Sequence, residues 1–170
     1  MRHPNRAFMS SNGKMTDLGT LGGHNSVGNA VNLSGHVAGW AETSTGARDA
    51  AVWTGKQSVD IGGLAPLAGS PSVAYGITDA GQVVGSWGTN PLHAFLYGNG
   101  HLVLWHNGTI TDLGSIGNIG IDGLDYLALA LNNNGQIVTW TQATPDGTCT
   151  ATAPSPTWAA STPTRSTTTA

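Results

Sequence analysis

The sequence predicts an all-β fold, and three observations carry that prediction. The first is composition: the chain has 170 residues, 25 of them Gly, and only 9% are charged. An average soluble domain has about 7% Gly and about 25% charged residues. A helical bundle would need more Ala, Glu, Lys and Leu and far less Gly. The second is a short motif that occurs three times along the chain. The third is a set of Asn-Gly and Gly-closed turns between short, β-prone apolar runs, the strongest local signature of hairpins.

The repeat starts with Met15-Thr16-Asp17-Leu18-Gly19, Ser58-Val59-Asp60-Ile61-Gly62 and Ile110-Thr111-Asp112-Leu113-Gly114. A Gly-containing loop follows in each copy. Then come Gly28-Asn29-Ala30-Val31-Asn32, Ala74-Tyr75-Gly76-Ile77-Thr78 and Ala128-Leu129-Ala130-Leu131-Asn132. Each copy closes on an apolar pair after a glycine: Gly35-His36-Val37-Ala38, Gly81-Gln82-Val83-Val84 and Gly135-Gln136-Ile137-Val138. Asp17 to Asp60 is 43 residues and Asp60 to Asp112 is 52. The third unit is longer because His93-Ala94-Phe95-Leu96-Tyr97 is echoed by His101-Leu102-Val103-Leu104-Trp105, which reads as an added strand or hairpin arm.

Taken in order, each unit holds four short strands as two hairpins. In the first hairpin, Asn12-Gly13 and Asn107-Gly108 provide the two positive-φ positions of a two-residue turn. The second hairpin turns at Asn32-Leu33-Ser34-Gly35, Thr78-Asp79-Ala80-Gly81 and Asn132-Asn133-Asn134-Gly135. There the first side chain bonds back to the turn backbone, and the Gly (Gly35, Gly81, Gly135) takes the left-handed position. Leu124–Leu131 has some helical appearance, but its place in the repeat assigns it to a strand. Units of about 6–43, 48–90 and 91–140 with four antiparallel strands each have the size of β-propeller blades. Trp40, Trp87 and Trp140 align at strand ends, and Trp53 aligns with Trp105. They are expected to pack between blades. Three units leave two open faces, so the expected partner is another copy of the chain or further repeat units.

From Thr141 to Ala170 the chain is mostly Thr, Ser, Pro and Ala, a composition that cannot bury enough apolar surface to order itself. This tail is expected to be disordered. The switch falls inside a repeat unit, just after Trp140, which favours an array read out of frame over a stalk. The opening residues lack the apolar stretch of a secretory signal.

Function classes narrow as well. Six Lys and Arg against nine Asp and Glu exclude a nucleic-acid binder that works by neutralising phosphates. No apolar run is long enough to span a membrane. A single cysteine, Cys149, excludes an internal disulfide framework and any four-Cys zinc site.

These residues resemble the bacterial HAF-repeat family, named for the triplet present here as His93-Ala94-Phe95. Thr16-Asp17-Leu18-Gly19-Thr20-Leu21-Gly22-Gly23 resembles the family's central run, and Gly81-Gln82-Val83-Val84-Gly85 its end. The resemblance covers roughly residues 6–140. It implies a secreted or surface-exposed bacterial protein and no catalytic set.

Candidate chemistry is sparse. Asp17, Asp60 and Asp112 recur once per unit. A carboxylate ring for Ca²⁺ or a sugar is one reading. A structural Asp beside a tight turn is the favoured one, because a fold needs its residue in every copy and a ligand site rarely does. Asp112, Asp122 and Asp125 are weak Ca²⁺ candidates without EF-hand spacing. His93, His101 and His106 lack metal-site spacing, and His101 and His106, an odd number apart, face opposite sides of a strand. Asn32-Leu33-Ser34 and Asn107-Gly108-Thr109 fit the glycosylation pattern but fall in turns. No nucleophile elbow, phosphate loop or redox motif is present, and the one Glu, Glu42, excludes a Glu/Glu glycosidase pair. No cofactor is expected. The expected role is a non-catalytic binding or structural module whose ligand the sequence does not name; an extracellular glycan or protein is a candidate partner. The alternatives are a glycan hydrolase or lyase with Asp-based chemistry, and a gene remnant with no independent function.

Overall fold

The computed structural model describes residues 4–55, 57–61, 70–88, 101–115 and 130–138. Over these residues the chain is all-β, without a helix, and every sheet is antiparallel. The 93–97 stretch, Asp122, Asp125, Trp140, most of Leu124–Leu131 and the 141–170 tail lie outside the described residues.

Among the described residues twelve strands form four sheets. Sheet 1 is the hairpin β1 (Phe8–Ser11) and β2 (Lys14–Asp17). Sheet 2 is a meander of β3 (Gly22–Val31), β4 (His36–Thr43), β5 (Arg48–Thr54) and β6 (Gln57–Asp60). Sheet 3 repeats that order with β7 (Ser72–Ile77), β8 (Val83–Trp87), β9 (His101–His106) and β10 (Thr109–Ser115). Sheet 4 is the short pair β11 (Ala130–Leu131) and β12 (Ile137–Val138).

The turns form for the reasons legible in the sequence. Asn12, Gly13, Asn107 and Gly108 all have positive φ, the pair of left-handed residues that matches strand twist in a two-residue hairpin. In the second kind of turn, the Asn32 side chain accepts from the N–H groups of Ser34 and His36. Asn132 does the same for Asn134 and Gln136. Thr78 Oγ1 accepts from Gln82 N–H. Gly35, Gly81 and Gly135 close these turns at φ +75, +79 and +75°.

The sheets do not coincide with the repeat units. Each four-stranded sheet joins the second hairpin of one unit to the first hairpin of the next, through the β4–β5 and β8–β9 ladders. The result is two whole sheets flanked by two half-sheets. They stack face to face. Ala7 and Leu18 of sheet 1 pack on Val37, Ala41, Ala51 and Trp53 of sheet 2. The other face of sheet 2 (Ala38, Ala50, Val52, Ile61) packs on Ala74, Ile77, Val83, Trp87 and Val103 of sheet 3. Beyond it, Val84, Leu102, Leu104 and Leu113 meet Leu131 and Ile137 of sheet 4. Period-two alternation sends successive residues of each strand to opposite neighbours, so sheets 2 and 3 bury apolar residues on both faces.

Polar contacts tie the stack at one edge. Asn29 and Asn32 of sheet 2 donate through Nδ2 to the carbonyls of Ala74 and Thr78 in sheet 3, at 2.8 and 3.0 Å. Leu33 N–H donates to Asp79 Oδ1, and Asp79 N–H donates in turn to Asn133 Oδ1. The three Gly-closed turns therefore lie side by side.

Candidate functional site

The three recurring carboxylates occupy one ladder position. Asp17 pairs with Phe8, Asp60 with Ala51, and Asp112 with Val103, each on the last strand of its sheet. Asp17 Oδ1 and Asp112 Oδ1 each accept the N–H of the glycine two residues on, Gly19 and Gly114, at 2.8 Å. The carboxylates thus close a bend where the strand leaves the sheet.

The residue two positions before the paired one on the neighbouring strand differs in each copy. Arg6 lies 3.2 Å from Asp17. His101 Nδ1 lies 2.8 Å from Asp112 Oδ2. In the middle copy the corresponding residue is Asp49. The Gly19 N–H first, and the Arg6 guanidinium after it, hold the Asp17 carboxyl below its ordinary range. Burial, reinforced by the charge of Asp60, pushes the Asp49 carboxyl up.

The three recurring carboxylates stand on three different sheets, and the middle copy brings a second carboxylate, Asp49, near Asp60. Asp17 and Asp112 are half or more exposed and stand on sheets 1 and 3, with sheet 2 between them. Among the described residues no three His, Cys, Asp or Glu side chains are placed to hold a metal ion. Asp112, a Ca²⁺ candidate by sequence, is committed to His101 and Gly114.

The tryptophans separate into two roles. Sequence matching aligns Trp40 with Trp87, but the ladders set them one residue apart: Trp40 pairs with Ala50, Trp87 with His101. The position equivalent to Trp40 in sheet 3 is Ser86, opposite Leu102. One residue of offset turns a side chain to the other face. Trp87 is accordingly buried between sheets 2 and 3 and stacks on the His101 ring, centroids 4.6 Å apart. Trp53 is fully buried between sheets 1 and 2. Trp40 instead lines an open cleft.

That cleft, about 480 Å³, lies where β3 begins, β4 ends and β5 begins, and Pro4 and Asn5 form its far wall. Arg48 holds its guanidinium 4.1 Å from the centre of the Trp40 ring, a cation–π contact. Glu42, register partner of Arg48, turns its carboxylate the other way. It accepts from Asn25 Nδ2 at 2.8 Å and from the N–H groups of His24 and Asn25. The Asn25 side chain, followed by these backbone donors, holds the Glu42 carboxyl below its ordinary range. Among the described residues Arg48 makes no ion pair. The site therefore presents one cation on an aromatic platform, with a fixed polar wall. Sequence reasoning singled out Trp40 and Glu42 but missed Arg48, Asn25 and His24. The available signal was two rare charges, Glu42 and Arg48, flanking one turn in a chain with few charges.

Among the described residues no helix is long and apolar enough to cross a membrane. No family model, curated protein or solved structure matches the chain.

Proposed function

We propose that this chain is a non-catalytic β-repeat module of a secreted or surface bacterial protein, its sheets arranged as propeller blades and its repeats of the HAF kind. The single observation that carries the non-catalytic reading is the use of the recurring carboxylates: Asp17 and Asp112 serve turns and cross-strand pairs at exposed, separated places. A rigid stack of sheets with a polar cleft at one end is a scaffold suited to display and binding. The cleft of Trp40 and Arg48 is the proposed binding patch, and its aromatic-plus-cation chemistry suits an extracellular glycan.

The enzyme reading has one observation in its favour, the raised carboxyl of Asp49 beside Asp60. One experiment separates the two. Binding to a panel of soluble polysaccharides is measured by calorimetry, and release of reducing ends is measured in parallel. The expected result is binding without new reducing ends, weakened about tenfold or more by Trp40→Ala, a loss of about 1.4 kcal/mol or more. Reducing ends that vanish in Asp49→Asn would overturn the non-catalytic reading, and the absence of any bound polysaccharide would overturn the glycan assignment.

A further inference from the structure

The two half-sheets at the ends of the stack are complementary halves. Sheets 2 and 3 each consist of an inner hairpin with a Gly-closed turn (β3–β4, β7–β8) and an outer hairpin ending in the recurring Asp (β5–β6, β9–β10). Sheet 1 is an outer hairpin alone. Sheet 4 is an inner hairpin alone.

Exposure at equivalent ladder positions marks what each half lacks. Phe8 sits opposite Asp17 and is 58% exposed, whereas Ala51 and Val103, opposite Asp60 and Asp112, are buried. Val138 pairs with Ala130 and is 68% exposed; Ala38 and Val84, in the same position, are fully buried. Val31 is 60% exposed, and its counterpart Ile77 is buried. Phe8 and Val31 both line a cleft of about 320 Å³ between the outer strand of sheet 1 and the inner hairpin of sheet 2, with Met9, Ser10, Gly28 and Val37 completing its wall. Before sheet 3 stands a whole sheet 2, and Ile77 is buried in the core the two share.

The backbone edge is open too. Leu18 N–H donates to the Ala7 carbonyl, so that carbonyl faces β2, while the Ala7 N–H donates to Ser26 Oγ of sheet 2. Alternation then turns the N–H and C=O of Phe8 and Ser10 away from β2, to the strand's other edge. Among the described residues β1 pairs only with β2, and β12 only with β11.

We propose that two copies of this chain complete one another: β12 of each copy pairs antiparallel with β1 of the other. Sheets 4 and 1 then fuse into whole four-stranded sheets, and the two chains close a ring of six. The inference rests on the blade reading above. The occupant is a second copy because the seam continues one the chain makes twice internally. In β4–β5, Val37 faces Trp53 and Ala38 faces Val52; in β8–β9, Val83 faces Trp105 and Val84 faces Leu104. The same register sets Ile137 opposite Ser10 and Val138 opposite Met9, and delivers Val138 to the cleft beside Val31. The described residues of one chain hold the strands of three sheets, fewer than the roughly four to eight that close a ring, whereas those of two chains hold six. The intermolecular interface lacks one turn-to-turn hydrogen bond, since Leu33 has no acceptor where Asp79 and Asn133 have one. It is therefore the weakest interface of the ring, and the dimer separates on dilution before the sheets melt.

The test uses the whole chain and three variants. Light scattering after size exclusion is expected to give twice 17.3 kDa at high concentration. Ser10→Pro removes one N–H from the open edge and no bond of β1–β2, a place where an edge strand accepts proline; it is expected to return the mass to 17.3 kDa with an unchanged far-UV spectrum. Met9→Cys with Val138→Cys, in a Cys149→Ser background, is expected to give a disulfide-linked dimer on oxidation; Ser11→Cys with Val138→Cys, out of register, is not. A β-rich monomer, an open-ended aggregate, or a dimer indifferent to Ser10→Pro would overturn the proposal while leaving the blade reading standing. Loss of the β spectrum in the unmodified chain would overturn both.

Discussion

At the scale of single residues, the recurring carboxylate position shows how one motif serves different electrostatic ends. Asp17 faces a guanidinium and Asp112 an imidazole, while the middle copy sets Asp49 near Asp60. The first two pairings are exposed and contribute little beyond geometry. The third works against the fold. The Asp49 carboxyl is raised above its ordinary 3.8, so the folded state binds the proton more tightly than the unfolded state does. Stability therefore falls as pH rises from 3.8 through the raised value, and the penalty stays in force at neutral pH. Asp49→Asn is expected to raise the melting temperature at pH 7, by about a few degrees at most because solvent screens the partly exposed carboxyl. The gain should disappear below pH 3.8. A melting series across pH checks the sign. Glu42 and Asp17, both lowered, behave in the opposite sense, and their contribution is lost as pH falls.

At the scale of elements, the ladders depend on close approach. Gly39 on β4 faces Gly28 on β3, and a Cβ at Gly39 would collide with the Val27 carbonyl and with Gly28 Cα. Both obstacles are backbone and cannot rotate away. Gly39→Ala is expected to cost about 2 kcal/mol or more, read as a drop in the denaturation midpoint without a change of slope. Just beyond this contact both inner hairpins carry a bulge, at Asn29 and at Tyr75, where the register shifts by one residue. The bulge frees Asn29 to reach the Ala74 carbonyl of the next sheet. The hairpins themselves were legible from Asn-Gly and Asn-x-x-Gly alone. The mismatch of Trp40 and Trp87 was not, because apolar matching by eye tolerates a one-residue slip that the hydrogen-bond ladder does not.

At the scale of the whole molecule, stability is a sum over sheets and the interfaces between them. Sheets 2 and 3 are each covered on both faces, whereas sheets 1 and 4 are covered on one. Amide hydrogen exchange is expected to follow that order in dilute solution. Protection should be greatest in β4, β5 and β8 and lower by about a hundredfold or more in β11 and β12. Uniform protection at low concentration would show that the sheets do not act as separate units.

The sequence by itself determined the strand content, the positions and types of the turns, and the threefold repeat. Each depends on a few adjacent residues: positive φ at Asn-Gly, a side chain bonding back across a turn, alternation along a short strand. The cleft of Trp40, Arg48 and Glu42 was legible only in part, since His24 and Asn25 come from a strand whose pairing the sequence does not state. Tertiary structure alone decided where one sheet ends and the next begins. A repeat has no marked origin, so the same periodic text can be divided into hairpin pairs in two ways. Only the ladder between β4 and β5, and its counterpart between β8 and β9, chooses between them. That choice places a half-sheet at each end, because hydrogen bonding between strands is non-local and is not written into either strand.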